Sequence, residues 1–265
     1  MSAYRDWQDL TTTDFAALDP ATSVAVLPVG AIEQHGPHLP VATDAVIAEA
    51  VARQGLARLD GSFAALLLPP QAVGKSNEHL AFAGTLTFSA EQLIALWVAI
   101  GEGVHRAGLK KMIFLNSHGG QPQVMEIVAR ELRVRFAMMA VSSSRWHMGF
   151  PDGLIPGHEQ KHGIHGGLVE TSMMLHLRPD LVKMDQARDF RPVMAEMEGD
   201  YKRLRHLGGV GMGWQAQDIH EAGVAGDAAS ASADIGKQIV DHVAAGFAEL
   251  VSETARYPLD RIRTR

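Results

Sequence analysis

The sequence predicts an α/β protein, a three-layer fold with a mostly parallel central sheet and helices on both faces. Three observations carry this. Short continuous apolar runs alternate with segments of helical spacing 10–20 residues long, the order expected of strand–crossover–strand units. The apolar runs stop at Gly- or Pro-containing or Asn-ended loops, as strands buried on both faces do. At 265 residues, 46% apolar and 20% charged, the chain holds enough material for one sizeable core, so residues 1–265 read as a single domain.

The first strand is the β-branched run 23–29, which opens at Gly30 into a loop over 31–43. A helix follows from Asp44, with Thr43 or Asp44 placed to cap it. Residues 63–68 form a second apolar run, stopped by Pro69 and Pro70. A long helix starts at the Ser89 cap and ends at Gly108. Residues 111–116 give a third strand that ends in the loop Asn116-Ser-His-Gly-Gly-Gln. A helix over 122–135 and a fourth strand over 136–142 come next. The region 145–170 is rich in Gly, Pro and His and reads as irregular. Glu170–Leu177 looks like the first turns of a helix. Residues 185–222 lack a clear period and read as an excursion or lid, and Ser232–Thr254 as a closing amphipathic helix.

Composition excludes several classes of function. The net charge is −6 and no run of Lys and Arg occurs, which argues against nucleic acid or an anionic membrane as the main partner. No apolar stretch approaches the length of a membrane span, and the first residues lack the basic and apolar segments of a signal peptide. A cytoplasmic protein is the expectation. With 13 His and no Cys, thiolate metal sites, disulfides and a cysteine nucleophile are excluded. Any metal must be held by imidazole and carboxylate.

Such residues cluster in three loops. Glu33, His35 and His38 follow the first strand, and Asp44, at the start of the next helix, is placed to close a site and bridge two ions. His118 sits at the end of the third strand beside Gly119 and Gly120, which let backbone approach an ion. His165 and Glu170 lie in the third loop. Imidazole with carboxylate suits Zn²⁺, Mn²⁺ or Fe²⁺, and ligands at the carboxyl ends of strands sit where α/β folds place their chemistry. His105, His147, His176, His206, His220 and His242 read as ordinary polar residues. The glycine-rich stretch from Gly208 to Gly213 has no preceding strand, so a mobile flap fits it better than a phosphate cradle.

The spacing resembles that of a known family. The segment from Pro28 through Glu33, His35 and Asp44, with Asn116-Ser-His118-Gly-Gly, His165-Gly-Gly-Leu-Val-Glu170 and Gly223-Val-Ala-Gly226-Asp227, resembles the motifs of the creatininase family from about residue 7 to 250. The resemblance implies an α/β fold with two divalent ions per chain (zinc first, manganese or iron as alternatives), often assembled as a homohexamer. Glu33 and His118 would hold one ion and His35 the other, with Asp44 bridging. Another metal-binding Glu of the family falls here on Gly120, so Glu170 is expected to complete the ligand set of the second ion. His165 matches a histidine that carries a proton to the leaving nitrogen.

The implied activity is hydrolysis of a non-peptide C–N bond, in a cyclic or linear amide or formamide of a small polar molecule, through a hydroxide held between the ions. The alternatives are a peptidase of the same family trimming a short precursor, and a hydrolase opening a lactone or keto-inositol ring. The chain departs from true creatininases at Gly119, Gly120 and Lys161-His162, where they carry Tyr, Glu and Trp-Asp, so creatinine itself is not the expected substrate. Lys161, His162 and Arg145 suggest an anionic or polyhydroxylated one. His38 is expected to brace its loop by hydrogen bonds, and His79 and His162 lie near these loops without assigned roles.

Overall fold

The computed structural model describes residues 3–208 and 210–263. Its elements in order are β1 (Arg5–Asp6), α1 (Thr12–Ala16), β2 (Val24–Val29), α2 (Thr43–Leu56), β3 (Ala65–Leu67), α3 (Ala90–Arg106), β4 (Lys111–Asn116), α4 (Pro122–Phe136) and β5 (Met139–Ser144). Then come α5 (Gly157–His162), α6 (Leu168–Leu177), β6 (Asp189–Phe190), α7 (Met194–Asp200), α8 (Ala216–Ile219), β7 (Gly226–Asp227) and α9 (Ala233–Arg256). The main sheet runs β1-β3-β2-β4-β5 with every neighbouring pair parallel. The short β6 and β7 pair antiparallel outside it.

Strand side chains alternate between faces, so a strand covered on both sides must be apolar throughout. All six residues of β2 are buried. Val24 and Val26 point into a core built with Ile47, Val51, Met173 and Phe247, from α2, α6 and α9. Ala25, Leu27 and Val29 point into a second core with Leu93, Trp97, Val128 and Leu132, from α3 and α4. The two cores are the outer interfaces of a helix–sheet–helix sandwich, the architecture that the alternating pattern predicts.

Local signals set the helix ends well. Ser89 caps α3 through a capping box, with Gln92 N–H donating to Ser89 Oγ and Ser89 N–H donating to Gln92 Oε1 at 2.9 Å. Ser232 Oγ accepts from Ile235 N–H at the start of α9. The buried Lys111 ties α9 to the sheet, its Nζ donating to the carbonyls of Ala255 at 2.5 Å and Tyr257 at 2.7 Å.

Several expected boundaries differ. The fourth expected strand is Met139–Ser144 rather than 136–142, because α4 continues to Phe136 and Ala137 ends it in the left-handed region at φ 53°. The 145–170 segment is not wholly irregular, since it contains α5, and the 185–222 excursion carries β6, α7 and α8. The expected side-chain cap on α2 is absent. Ala42 occupies the cap position, Thr43 Oγ1 donates to Pro40 O, and Asp44 turns elsewhere. β1 and α1 have too little apolar pattern to be seen in sequence. Among the described residues no helix is long and apolar enough to cross a membrane.

Candidate metal centre

Val29, Asn116 and Ser144 stand in register at the carboxyl ends of three adjacent strands, so the loops after β2, β4 and β5 leave the sheet at one level. Asn116 shapes the second loop: its Nδ2 donates to His118 O at 2.7 Å and its Oδ1 accepts from His118 N–H at 2.9 Å. Gly30 lets the first loop cross the start of α2, since a Cβ there would lie 2.6 Å from Ala45 Cα. That crossing carries Asp44, fixed through Ser117 Oγ donating to its carbonyl, against the loop that holds Glu33 and His35.

The six residues singled out in sequence converge. His35 Nε2 lies 3.6 Å from Asp44 Oδ1, 3.7 Å from Glu170 Oε2 and 4.0 Å from Glu33 Oε1. His118 Nδ1 lies 3.1 Å from Glu33 Oε1 and 3.3 Å from Asp44 Oδ2. Asp44 thus presents one oxygen to each imidazole. His165 Nδ1 is 3.6 Å from Glu33 Oε1, and its ring centroid is 4.2 Å from that of His35. All six are buried.

The ring tautomers follow from the backbone, because a carbonyl oxygen can only accept. His35 Nδ1–H donates to Glu33 O at 3.0 Å, His118 Nε2–H to Lys75 O at 2.8 Å and His165 Nε2–H to Gln34 O at 2.8 Å. Each ring therefore turns its bare nitrogen into the cluster. Among the described residues His35 Nε2, Glu33 Oε2 and Asp44 Oδ2 are buried with no hydrogen-bond partner. Lone pairs facing carboxylates in a buried space require a cation. The donor set of imidazoles and carboxylates, each ring braced from behind by a carbonyl, suits a divalent ion of the zinc, manganese or iron type.

In the absence of an ion a proton must serve instead. Burial disfavours the charged His35 ring, but Asp44, Glu170 and Glu33 outweigh it and raise its pKa to about 9. His118 moves well above its ordinary value in the same way, Glu33 and Asp44 overcoming burial. Asp44 goes far down, the two rings more than offsetting burial. Burial, helped by the neighbouring His35 charge, lowers His165. Burial also holds His79 far below the usual histidine range.

Side chains that sequence reasoning left without a role complete the surroundings. Gln34 Nε2 donates to His79 Nδ1 at 2.8 Å, and His79 Nε2 is 3.6 Å from Glu33 Oε1. Glu78 Oε1 lies 3.6 Å from His118 Nε2. The adjacent pair Glu78-His79, in the loop after β3, was the available signal. His38 Nε2–H donates to Gly166 O at 3.0 Å and stacks on Phe190, bracing the loops as expected. Burial lowers its pKa to about 4.

Arg145, Lys161 and His162 do not form a free cationic surface. Arg145 Nη2 donates to Glu170 Oε1 at 2.5 Å inside the protein. Lys161 Nζ and His162 Nε2 both face Glu198, at 2.7 and 3.7 Å from its Oε2. The side chains expected to attract an anionic substrate already face carboxylates of the protein.

The ligand cluster lines a small cavity of about 90 Å³ with Gly119, Ile164, Leu207 and Trp214. Two larger spaces share lining residues with it. A polar cleft of about 670 Å³ lies over Lys75, Gln123, Gln215 and Asp218. A cavity of about 380 Å³ lies against Trp146, Phe150, Ile164 and Val169. Gly119 and Leu207 line all three spaces, and nothing lies within 4 Å of where a Gly119 Cβ would stand.

Comparison with known proteins agrees with the motifs. The family described as creatinine amidohydrolase matches residues 8–251. The mycofactocin precursor peptide peptidase of Mycobacterium ulcerans (strain Agy99) is 32% identical over 252 residues, covering 92% of this chain and 88% of that protein. The 3-dehydro-scyllo-inosose hydrolase of Thermotoga maritima is 27% identical over 252 residues, covering 89% and 79%. A solved creatinine amidohydrolase (creatininase) structure has a TM-score of 0.73 at 24% identity, covering 94% of this chain and 96% of that one, a likeness of fold.

Proposed function

The chain belongs to the creatininase family of hydrolases, and on that premise we propose that it is a metal-dependent amide hydrolase whose substrate is a short peptide. The observation that carries the substrate class is that the ligand cavity shares lining residues with two larger spaces, a polar cleft and one of mixed lining that includes Trp146 and Phe150. A cyclic small molecule needs an enclosed pocket, whereas a chain cut in its interior needs space on both sides of the reacting bond. Trp146 and Phe150 offer an apolar subsite on one side, and Lys75 and Gln123 polar partners on the other. The peptidase named above, similar over most of the chain, supports the same class.

In this proposal Glu33 and His118 would hold one divalent ion and His35 and Glu170 the other, with Asp44 available to both. Bound there, the ions supply an acidified water and a polarised amide carbonyl. His165, whose pKa burial lowers, would hold a proton from water at Nδ1 and pass it to the departing nitrogen. Gln34 O fixes the ring so that Nδ1 points inward. Arg145 holds Glu170 in place from the far side of its carboxylate.

A non-peptide amide remains a second reading, favoured by the roughly 90 Å³ of space at the ligands themselves. A substrate panel separates the two. The chain, loaded in turn with Zn²⁺, Mn²⁺ and Fe²⁺, is offered short peptides, formamides, cyclic amides and lactones, with products read by mass spectrometry. Peptide cleavage with kcat/KM at least tenfold above every small amide is expected. The reverse order transfers the assignment to the small-molecule reading.

A further inference from the structure

We propose that Glu78 is a ligand of the cation held by Glu33 and His118, reaching it through the space that the missing side chain of Gly120 leaves. This rests on the metal-centre reading above and adds to it a residue from a separate loop, the one that follows β3.

Four features place Glu78 there. One donor atom each of Glu33, Glu78 and His118 lies within 4.8 Å of the other two, the spread of a ligand set around one ion. Glu33 Oε2 and Asp44 Oδ2 are buried, lack hydrogen-bond partners and belong to the same half of the cluster, so that half contains unmet demand for positive charge. Lys75 Nζ binds Glu78 Oε2 at 3.3 Å, which leaves Oε1 outside that pair, 3.6 Å from His118 Nε2 on the outer edge of the ring. Finally, a Cβ built on Gly120 would overlap Glu78 Oε1 and stand 2.5 Å from His118 Nε2. Any side chain at 120 would therefore contest the volume that the Glu78 carboxylate fills. The glycine and the glutamate form a complementary pair.

The Glu78 side chain is 12% exposed and at the wall shared by the ligand cavity and the polar cleft. Among the described residues its one cationic side-chain partner besides His118 is Lys75, a partly exposed pair of the kind that adds little stability. A carboxylate drawn out of solvent toward that of Glu33 is unfavourable unless a cation shares the space.

Glu78→Gln keeps the shape and removes the charge. Metal content at buffered free Zn²⁺ and the visible absorption of the Co²⁺-loaded chain are measured for parent and variant, with Glu78→Asp as the conservative control. The variant is expected to keep one ion at parental affinity, to bind the other at least tenfold more weakly, and to show an altered Co²⁺ spectrum that Glu78→Asp partly restores. Two ions at parental affinity with an unchanged spectrum overturn the role of Glu78. A parent chain that itself holds no metal overturns the metal centre instead, so the two failures are distinct.

Discussion

Glu170 and Arg145 meet as a buried ion pair, Oε1 to Nη2 at 2.5 Å, with their side chains 6% and 8% exposed. The other oxygen of Glu170 accepts from Gly166 N–H at 2.7 Å and faces His35. The carboxylate is therefore held from behind while one edge stays turned to the cluster. Removing the guanidinium would leave the buried Glu170 carboxylate without its cationic partner. Arg145→Met is expected to lower the unfolding free energy of the metal-free chain by about 3–5 kcal/mol, read by denaturant titration. A loss below about 1 kcal/mol would mean that the pair behaves as a solvated surface bridge.

Asp44 offers a separate oxygen to each of two imidazoles. If it bridges two ions, Asp44→Asn should release both, since each loses a charged ligand. Elemental analysis after dialysis should find far less than one ion per chain. One ion retained tightly would assign Asp44 to a single site.

His165 donates its Nε2 proton to backbone and points Nδ1 at the cluster. As a proton carrier it is dispensable for metal but not for turnover. His165→Asn should keep the parental metal content and lower kcat by roughly 10²–10⁴-fold. Loss of metal in parallel with activity would make it a ligand.

Protons and cations compete for the His35 ring, whose pKa without an ion is raised to about 9, its three carboxylate neighbours outweighing burial. Below that pH the metal must displace a proton, so apparent affinity should rise as pH increases from 6 to 9 and flatten above. Calorimetry in buffers of different ionisation enthalpy should register proton release at pH 7. A pH-independent affinity over this range would show that the ring is already neutral.

Much of this was legible because it is local. β2 and β4 are continuous apolar runs, and α3 and α9 begin at Ser89 and Ser232, whose caps depend on residues only three positions away. The short α5, α7 and α8 escaped notice because four to seven residues carry too little periodicity. The same divide runs through the site. Glu33, His35 and Asp44 lie in one motif and could be read together, whereas Glu78 approaches His118 from a loop some forty positions away. Arg145 was visible as a cation, but nothing in the sequence marked it as already paired with Glu170.

By itself, the sequence determined the alternation of buried strands and covering helices, the absence of thiol chemistry, and the residue types available to hold a metal. Those properties depend on composition and short-range pattern, which are written along the chain. Only the tertiary structure decided which nitrogen of each ring turns inward, that Arg145 and Lys161 are already paired, and that the ligand cavity shares its walls with two larger spaces. It also decided that the empty volume at Gly120 belongs to Glu78. These are consequences of packing loops from separate strands against one another, where the available space and partners are fixed by residues far apart in sequence.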